Sequence, residues 1–411
     1  MSDEVIDPPD AHAGQAPAIL SRMPEPPPPD RHPVEGLVFH GPSRPPAIED
    51  LWLDPPGPGE VRVRMVGSGV CHSDLHVVDG DWERPAGVVL GHEGAAIVEE
   101  LGPGVRQRPA DVPAGTLASG EVAGHRVGDL VVLSWVAPCG SCPACARGEA
   151  WLCATPLGNG HRLAPDLVRL HRGDGSLAGV CSGIGTFSTG QVVAAAAAVP
   201  VDPRTPPAVA ALIGCAAGTG VGAVRHTAGV QAGESVVIVG LGGVGLSALM
   251  AAVDAGADPV VAVDLEPAKH AVALSLGATH ALGPAEAVAG VGVLASLGVD
   301  HVLECIGLTD TVELAVDLVR PGGTVTLVGM TPQADRAGLD VYRVVHEGKR
   351  VLGSCYGSIV PARDFPAIAA DAVSGRLPLD RLVSETIGLA DVGRALEAMR
   401  RRDGARRVVL Y

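Results

Sequence analysis

One segment of this chain leaves few choices of fold. The continuous apolar run "ESVVIVG" (Glu234 to Gly240) precedes a glycine-rich turn, an apolar helical pattern and a second apolar run, "PVVAVD", that ends at Asp264. A run without polar alternation is typical of a strand buried on both faces, as in parallel sheets covered by helices. "DHVLECIG" and "TVTLVG" continue the alternation of strands and helices. The sequence therefore predicts an α/β domain with a doubly wound parallel sheet over about 215–353.

The residues on either side of this domain show a different pattern. From about Val34, short alternating strands such as "EVRVRMV" (Glu60 to Val66) are separated by glycine and proline, which is typical of a mostly antiparallel domain. We expect that domain to comprise 34–214 and 354–411, with a cleft between the two domains. The polar stretch 106–124 is expected to be an inserted surface loop.

The composition limits the partners and the location of the protein. The chain of 411 residues has 46 acidic against 30 basic side chains, a formal charge of -16, which argues against nucleic acid or an anionic membrane surface as a partner. It shows no signal-peptide pattern and no stretch of about 20 uninterrupted apolar residues, so we expect a cytoplasmic protein without a membrane span. Residues 1–33, with nine prolines, six acids and two basic residues, are predicted to be a disordered tail.

The glycine-rich turn has the spacing of a dinucleotide site. "VGLGGVGL" forms G-x-G-x-x-G between a strand and a helix, where glycines allow a tight turn, the approach of a pyrophosphate and close helix packing. The helix N-terminus then faces the phosphate charge. Asp264, nineteen residues after Gly245, is expected to bond the adenosine ribose and to repel a 2′-phosphate, which favours NAD over NADP. The predicted cofactor contacts in the turn are Gly240, Gly242, Gly243, Val244 and Gly245.

Four cysteines lie close together in "CGSCPACARGEAWLC", which spans Cys139 to Cys153. Four thiolates at this spacing can fill all four coordination positions of a Zn²⁺ ion. No coordination position then remains for water or substrate, so the predicted site is structural. The alternative is four free or pairwise oxidised cysteines, which a reducing compartment disfavours. The predicted ligands are Cys139, Cys142, Cys145 and Cys153.

A second set of metal-binding residue types is scattered over three segments. "GVCHSDLH", "GHEGA" and "GCAAGTG" carry Cys71, His92 and Cys215. Each residue alone is more often a packing residue. Together they offer two sulfurs and one nitrogen and leave a fourth position open, which is typical of a catalytic zinc.

These motifs resemble those of one enzyme family. "GVCHSDLH", "GHEGAAIVEE", the four-cysteine loop, "GCAAGTGVGA" and "VIVGLGGVGL" occur in the order and approximate spacing of the zinc-dependent medium-chain alcohol dehydrogenases, from about Val34 to the C-terminus. The resemblance implies a Rossmann coenzyme domain plus a mostly antiparallel GroES-like catalytic domain. It also implies NAD and two zinc ions per chain.

The resemblance assigns roles to residues around the second metal set. Asp74 resembles the carboxylate that orients His92, and Glu93 resembles the carboxylate behind the metal. Ser73 resembles the hydroxyl that bonds the substrate oxygen, and His76 resembles the end of a proton relay. An ordinary acid at Glu93 and a surface histidine at His76 are the alternatives.

Further cofactor contacts follow from the same resemblance. Lys269 resembles a second ribose contact, although a solvated helix charge is the alternative, and Thr219 aligns with a residue near the nicotinamide. Arg406 resembles a pyrophosphate-binding arginine, with its neighbour Arg407 as the other candidate. His72 stands where several relatives have arginine, and because a neutral histidine lacks the permanent charge, we expect a looser grip on the pyrophosphate.

The aligned substrate pocket contains Trp82, Trp135 and Phe187, with ordinary core packing as the alternative, equally weighted for Phe187. Two indole rings would favour a flat or medium-sized apolar alcohol, such as an aromatic or allylic one. The long stretch between Cys153 and Phe187 is like that of dimeric relatives, so we expect a homodimer.

The predicted function is hydride transfer between a primary or secondary alcohol and NAD, giving an aldehyde or ketone. One alternative is a thiol-adduct formaldehyde dehydrogenase acting on an S-hydroxymethyl conjugate. A variant that holds NAD tightly enough to recycle it in place is disfavoured by His72. A non-catalytic NAD-binding protein is disfavoured because the ligand set, Ser73 and His76 are all intact.

Overall fold

The computed structural model describes residues 30–42, 44–118, 121–154, 168–401 and 406–411. Most of the predicted proline-rich tail, 1–29, lies outside these residues. The first strand already begins at His32, so the predicted boundary of the tail at residue 33 is too late. His32 and Pro33 pair with Leu53 and Trp52, and this pairing places them in a sheet.

The described residues form twenty strands in chain order. They are β1 (His32–Phe39), β2 (Ala47–Leu53), β3 (Glu60–Gly69), β4 (Val88–Val89), β5 (Gly94–Leu101), β6 (Leu117–Ala118), β7 (Glu121–Val122), β8 (Leu130–Leu133), β9 (Leu170–His171), β10 (Leu177–Val180), β11 (Gly190–Ala194), β12 (Ala198–Pro200), β13 (Val236–Val239), β14 (Val260–Val263), β15 (His280–Leu282), β16 (Val299–Glu304), β17 (Val319–Leu327), β18 (Arg350–Gly353), β19 (Val383–Ile387) and β20 (Arg406–Leu410).

The helices of the described residues are mostly short and lie between these strands. The α-helices are α1 (His72–Asp79), α2 (Pro143–Ala146), α3 (Pro207–Leu212), α4 (Gly218–Gly222), α5 (Gly243–Asp254), α6 (Pro267–Ser275), α7 (Pro284–Leu294), α8 (Thr309–Leu318), α9 (Val341–His346), α10 (Pro361–Val373) and α11 (Val392–Arg400). Single 3₁₀ turns cover Ala150–Leu152, Cys181–Gly183, Ala195–Ala197, Cys355–Ser358, Leu379–Leu382 and Leu389–Asp391.

The central domain is a six-stranded parallel sheet in the order β15-β14-β13-β16-β17-β18. All four valine and isoleucine side chains of β13 are buried, as the continuous apolar run predicts. The strand order reverses between β13 and β16, and ligands of doubly wound sheets bind at such a switch point, beyond the carboxyl ends of the strands. The predicted Rossmann architecture is confirmed.

The other domain is mostly antiparallel. Strands β1, β2, β9, β10 and β4 close a small barrel, and a seven-stranded sheet has the order β12-β8-β5-β3-β20-β19 with β11 also paired to β3. Strand β20 runs antiparallel to β3, so a segment from beyond the Rossmann sheet completes a sheet that begins before it. Within the stretch 106–124, the structure shows a two-stranded sheet of β6 and β7, and the side chain of Arg108 is buried beside Asp129.

A continuous 22-residue helix, Pro207–Ala228, leads into the Rossmann domain. Here α3 and α4 alternate with the π-helical turns Ile213–Ala217 and Ala223–Ala228. By length and composition alone it could cross a membrane, but 78% of its apolar part is buried inside the protein. Thr219, Arg225 and His226 interrupt the apolar run, so it is not a stretch of about 20 uninterrupted apolar residues. At Gly220 it packs so closely on α5 that an added Cβ would overlap the carbonyl oxygen of Val244. The apolar character of the helix is thus explained by burial against α5.

Candidate active site

The three scattered metal-binding motifs converge in the structure. The ligand atoms of Cys71, His92, Glu93 and Cys215 all lie within 4.8 Å of one another. Cys71 is the N-cap of α1, and His92 and Glu93 directly precede β5. Cys215 lies in the π-helical turn Ile213–Ala217. Residues from three separate elements therefore form one cluster.

The orientation of His92 fits a metal ligand. Nδ1 of His92 lies 3.0 Å from Oδ1 of Asp74, a nearly fully buried carboxylate whose other oxygen accepts a hydrogen bond of 3.1 Å from the backbone N–H of Cys71. Nε2 of His92 is buried and has no partner within the described residues. A ring fixed by a carboxylate on one nitrogen, with the other nitrogen free, is the usual arrangement of a zinc-binding histidine.

The electrostatics of the cluster favour a bound cation. The thiol of Cys215 donates to the sulfur of Cys71, which holds the pKa of Cys71 well below its usual range and raises that of Cys215. Burial lowers the pKa of His92, but Asp74 and Cys71 raise it more, so that it lies well above its ordinary value. Because negative charge from Cys71 and Asp74 surrounds the ring, positive charge is stabilised at this point. The residues present therefore fit Zn²⁺ with two sulfurs and one nitrogen.

Glu93 lies against this set and forms an ion pair with Arg406 of β20. Burial raises the pKa of Glu93 to about 7, against the lowering effect of Arg406. Its second oxygen, Oε2, is buried without a partner within the described residues. A Cβ at Gly69 would overlap that oxygen, so only glycine fits at this position. The neighbouring Arg407 contacts Glu385 instead, at 2.7 Å.

The predicted relay residues lie on the first helix. Ser73 and His76 are three residues apart on α1 and therefore share one face of it. Nδ1 of His76 lies 2.8 Å from Oδ2 of Asp81, and its ring stacks on Trp82 with 4.8 Å between centroids. Partial burial and the neighbouring His76 lower the pKa of His72, against the raising effect of Cys71 and Asp79.

The glycine-rich turn has the shape that a pyrophosphate needs. Gly240 has a φ of +95°, and a Cβ there would overlap the side chain of Ile306. A Cβ at Gly245 would overlap the carbonyl oxygen of Gly240, whereas a Cβ at Gly242 would meet no atom within 4 Å. The space beside Gly242, at the N-terminus of α5, is thus open to a ligand.

Two charged residues flank this turn. Asp264, at the end of β14, accepts hydrogen bonds from the backbone N–H groups of Leu241 (2.8 Å) and Glu266 (2.9 Å). Lys269 is not merely a solvated charge, because its Nζ lies 3.1 Å from Oδ2 of Asp264. Thr219 is nearly buried in α4, on the helix that also carries Cys215.

The four-cysteine loop forms a separate cluster. The four sulfur atoms lie within 4.8 Å of one another, and all are free of disulfides. Four sulfurs at about 2.3 Å from one zinc ion stand roughly 3.8 Å apart, which this cluster matches. Backbone N–H groups of Cys139 and Cys142 point at the sulfurs of Cys153 (3.4 Å) and Cys139 (3.3 Å), which favours thiolates. The cluster therefore fits a second, fully enclosed zinc ion.

The comparisons with known proteins agree with this geometry. A family model described as "Alcohol dehydrogenase GroES-like domain" matches residues 57–203, and one described as "Zinc-binding dehydrogenase" matches residues 243–374. The NDMA-dependent alcohol dehydrogenase of Amycolatopsis methanolica is 34% identical over 386 residues, which cover 92% of this chain and 99% of that protein. The chain belongs to the zinc-dependent medium-chain alcohol dehydrogenase family.

Other members of the family are similarly close. An S-(hydroxymethyl)glutathione dehydrogenase of Photobacterium damsela subsp. piscicida is 32% identical over 383 residues, 91% of this chain and 98% of that protein. Among solved structures, an alcohol dehydrogenase zinc-binding domain protein from Burkholderia ambifaria has a TM-score of 0.84 at 32% identity, covering 93% of this chain and 99% of that chain. Benzyl alcohol dehydrogenase from Acinetobacter calcoaceticus has a TM-score of 0.82 at 28% identity, covering 92% and 99%.

Membership of the family settles the class of activity. The protein is an enzyme, a zinc-dependent alcohol dehydrogenase that transfers hydride between an alcohol and a nicotinamide cofactor. The family and the activity inferred from the sequence are confirmed. The non-catalytic interpretation is not supported.

In the alcohol dehydrogenase, the three residues that were predicted to line the substrate pocket have different surroundings. Trp82 stacks on His76, and Trp135 packs on Tyr356 with 4.1 Å between ring centroids. Phe187 is 0% exposed and belongs to an apolar cluster that includes Phe39. A Cβ on Gly91, the residue before His92, would lie 2.9 Å from the ring of Phe187, and the pocket role of Phe187 stays a prediction.

One further residue, Cys181, lies beside the zinc ligands of the alcohol dehydrogenase and was not predicted from the sequence. Cys181 is buried, and its thiol is close enough to His92 and Asp74 for both charges to act on it, while burial raises its pKa. The segment "GVCSGIG" offers no spacing or periodicity that distinguishes this cysteine from a packing residue. Only the folded chain brings it to the site.

Proposed function

We propose that this dehydrogenase oxidises a primary or secondary alcohol of medium size, apolar and preferably aromatic, with NAD, giving an aldehyde or ketone. One observation carries the proposal. The guanidinium group of Arg406 pairs with Glu93 at the metal donor set, and its Cδ lies 3.4 Å from where a Cβ of Gly243 would stand. A single side chain thus touches both the metal cluster and the first turn of the dinucleotide helix. Metal and dinucleotide would meet in one cleft.

The residues around the cleft have distinct roles. When bound at Cys71, His92 and Cys215, zinc would act as a Lewis acid on the alcohol oxygen, and the nicotinamide would accept hydride. Ser73 would take the alcohol proton and pass its own through the cofactor's ribose hydroxyl to His76, which would release a proton to solvent. Asp81 accepts from the ring of His76 and so orients it.

We infer NAD rather than NADP from Asp264. Its carboxylate is fixed by two backbone N–H groups and by Lys269 beside the glycine turn. A fixed negative charge there accepts hydrogen bonds from ribose hydroxyls and repels a 2′-phosphate. Lys269 would share the ribose contact, and Thr219, His72 and Arg406 would contact the rest of the cofactor.

The two tryptophans support an apolar substrate. Trp82 and Trp135 are half-buried, and Trp82 stacks directly on His76. Indole faces favour flat apolar groups through dispersion and edge contacts. A thiol adduct is the second candidate, because S-(hydroxymethyl)glutathione dehydrogenases are among the relatives at 32% identity.

We propose two zinc ions per chain and a homodimer in the cytoplasm, with no nucleic acid or membrane partner. Strand β18 is an edge of the Rossmann sheet, and apolar side chains are exposed beside it. Val341, Tyr342 and Val345 on α9 are 68%, 77% and 74% exposed, and Leu352 lies on β18 itself. A second copy seated on this face would cover the edge strand and the apolar side chains together.

A substrate panel tests the activity. Initial rates of NADH formation are measured with benzyl alcohol, cinnamyl alcohol, ethanol, and formaldehyde with and without glutathione, alongside zinc content per chain. Faster turnover of the aromatic alcohols with two zinc ions supports the proposal. Activity only with formaldehyde plus glutathione supports the thiol adduct instead, and one zinc ion per chain refutes the catalytic metal.

Light scattering tests the dimer. Tyr342→Glu should produce monomers, whereas Val293→Glu, a control at an equally exposed apolar position on α7, should leave dimers. Wild-type protein that is monomeric refutes the dimer.

A further inference from the structure

Glu304 is a buried carboxylate that the proposed chemistry does not use. It ends β16, between Val239 of β13 and Leu327 of β17, and its side chain is fully buried. Among the described residues it forms no ion pair with a lysine, arginine or histidine. A buried charge without a cation persists only where hydrogen bonds stabilise it.

The loop that follows β16 supplies those hydrogen bonds. Oε1 of Glu304 accepts from the backbone N–H groups of Ile306 and Gly307, both at 2.9 Å, and from the hydroxyl of Thr311 at 2.8 Å. The other oxygen, Oε2, is buried and has no partner in the described part of the chain. These three hydrogen bonds tie the loop 305–308 to the carboxylate of Glu304.

This loop forms one wall of the dinucleotide turn. The side chain of Ile306 packs directly against Gly240, so closely that a Cβ on Gly240 would overlap it. Ile306 is nevertheless 41% exposed, so part of its side chain faces the open space beyond the strand ends. Displacement of the loop would therefore change the shape of the glycine turn.

Glu304 also forms hydrogen bonds with the loop that follows β17, in addition to the loop 305–308 that contacts the glycine turn. Its main-chain oxygen accepts from the N–H groups of Val328 (2.8 Å) and Gly329 (3.0 Å), which follow β17. A Cβ on Gly307 would lie 2.6 Å from the carbonyl oxygen of Met330. The loop after β16 therefore packs closely against the loop after β17. One residue thus connects three loops at the carboxyl ends of β13, β16 and β17, where ligands of this fold bind.

We infer that Glu304 is a positioning residue for the dinucleotide, which rests on the proposed NAD site. It acts through the loop 305–308 and contacts neither the zinc ligands nor the alcohol. When the loop is ordered before the cofactor binds, the binding free energy does not include the entropic cost of ordering the loop. Loss of the charge should therefore weaken cofactor binding and leave the alcohol and zinc sites intact.

The test is Glu304→Gln, which keeps the shape and one acceptor oxygen but removes the charge. Dissociation constants of NADH and of ADP-ribose are measured without alcohol, by fluorescence and by calorimetry. Both should rise about tenfold, equivalent to about 1.4 kcal/mol. Zinc content, and the KM for alcohol at saturating NAD, should stay at the wild-type values.

Asp300, at the opposite end of the same strand, offers a control, and its carboxylate also pairs with Arg320 at 2.7 Å. Its carboxylate also accepts from a loop, from the backbone N–H (2.8 Å) and hydroxyl (2.6 Å) of Ser235. Asp300→Asn should lower the melting temperature but leave the dissociation constant of NADH within twofold of wild type. Thr311→Val removes one donor from Glu304 and should weaken NADH about threefold.

Binding measurements on these variants can refute the positioning role of Glu304. Glu304→Gln that binds NADH within twofold of wild type, or Asp300→Asn that weakens it equally, refutes a positioning role. If Glu304→Gln does not fold, unchanged NADH affinity in Thr311→Val refutes it instead. Wild-type protein that binds neither NADH nor ADP-ribose refutes the proposed cofactor, whereas the variant results above, in a wild type that binds NADH, refute only the positioning role of Glu304.

Discussion

Arg406 and Arg407 are adjacent on β20, yet their side chains lie in contrasting surroundings. Arg406 pairs with Glu93, and the two side chains are 10% and 0% exposed. Arg407 pairs with Glu385, and these side chains are 18% and 49% exposed. Breaking a buried pair leaves an uncompensated charge and costs about 3–5 kcal/mol, whereas an exposed pair contributes about 0–1 kcal/mol. The two substitutions should therefore differ severalfold in their effect on stability.

The measurement is urea unfolding of Arg406→Met and Arg407→Met with excess zinc and without NAD. Arg406→Met should lower the free energy of unfolding by about 3–5 kcal/mol and Arg407→Met by about 1 kcal/mol or less. Adding Glu93→Gln to Arg406→Met should recover part of the loss, because the remaining partner is no longer charged. Equal losses in the two single variants, or a double variant that is strictly additive, would refute the reasoning.

The pH dependence of Arg406→Met has a defined sign. Burial holds the pKa of Glu93 at about 7 even with Arg406 present, and removing the cation should raise it further. A carboxyl whose folded pKa lies above its unfolded value destabilises the protein increasingly as the pH rises from the unfolded towards the folded pKa. The deficit of Arg406→Met should therefore be larger at pH 8 than at pH 5. A deficit that grows on acidification would contradict this.

Three further predictions concern the metal sites, the cofactor and the interior. Cys71→Ser should remove one zinc ion per chain and abolish turnover while the fold persists, whereas Cys139→Ser should yield unstable, aggregating protein; identical behaviour would refute the division between the two sites. Asp264→Ser should weaken NAD about tenfold and leave NADP unaffected or improved, measured as KM for each cofactor. Phe187→Ala should cost about 3–5 kcal/mol in unfolding free energy and, like Trp82→Ala, should change the ratio of kcat/KM between benzyl alcohol and ethanol; an unchanged ratio would refute a pocket role for Phe187.

The sequence predicts the Rossmann domain well because local patterns determine it. The valine-rich β13 is apolar throughout, since both faces of the strand are covered, and the glycine turn has a fixed spacing. Gly245 illustrates the constraint, because any side chain there would overlap the carbonyl oxygen of Gly240, directly after β13. Such signals lie within about ten residues and are visible without a structure.

Contacts between distant segments were not predictable in the same way. Glu93 and Arg406 are separated by 313 residues, and the sequence offers no pattern that connects them. Phe187 was assigned to the pocket by alignment, whereas its complete burial in an apolar cluster with Phe39 depends on residues that are distant in sequence. His32 was grouped with the tail because the preceding segment is rich in proline. Its pairing with Leu53 of β2 nevertheless places it in a strand.

The position of β20 has a consequence for how the enzyme matures. During synthesis, β3 and β5 leave the ribosome long before the strand at 406–410 exists, so Glu93 initially lacks the cation that neutralises it. Contacts between such distant segments form slowly. The pairing of Glu93 with Arg406 is therefore expected to form after the Rossmann sheet and after the segments that carry the three zinc ligands.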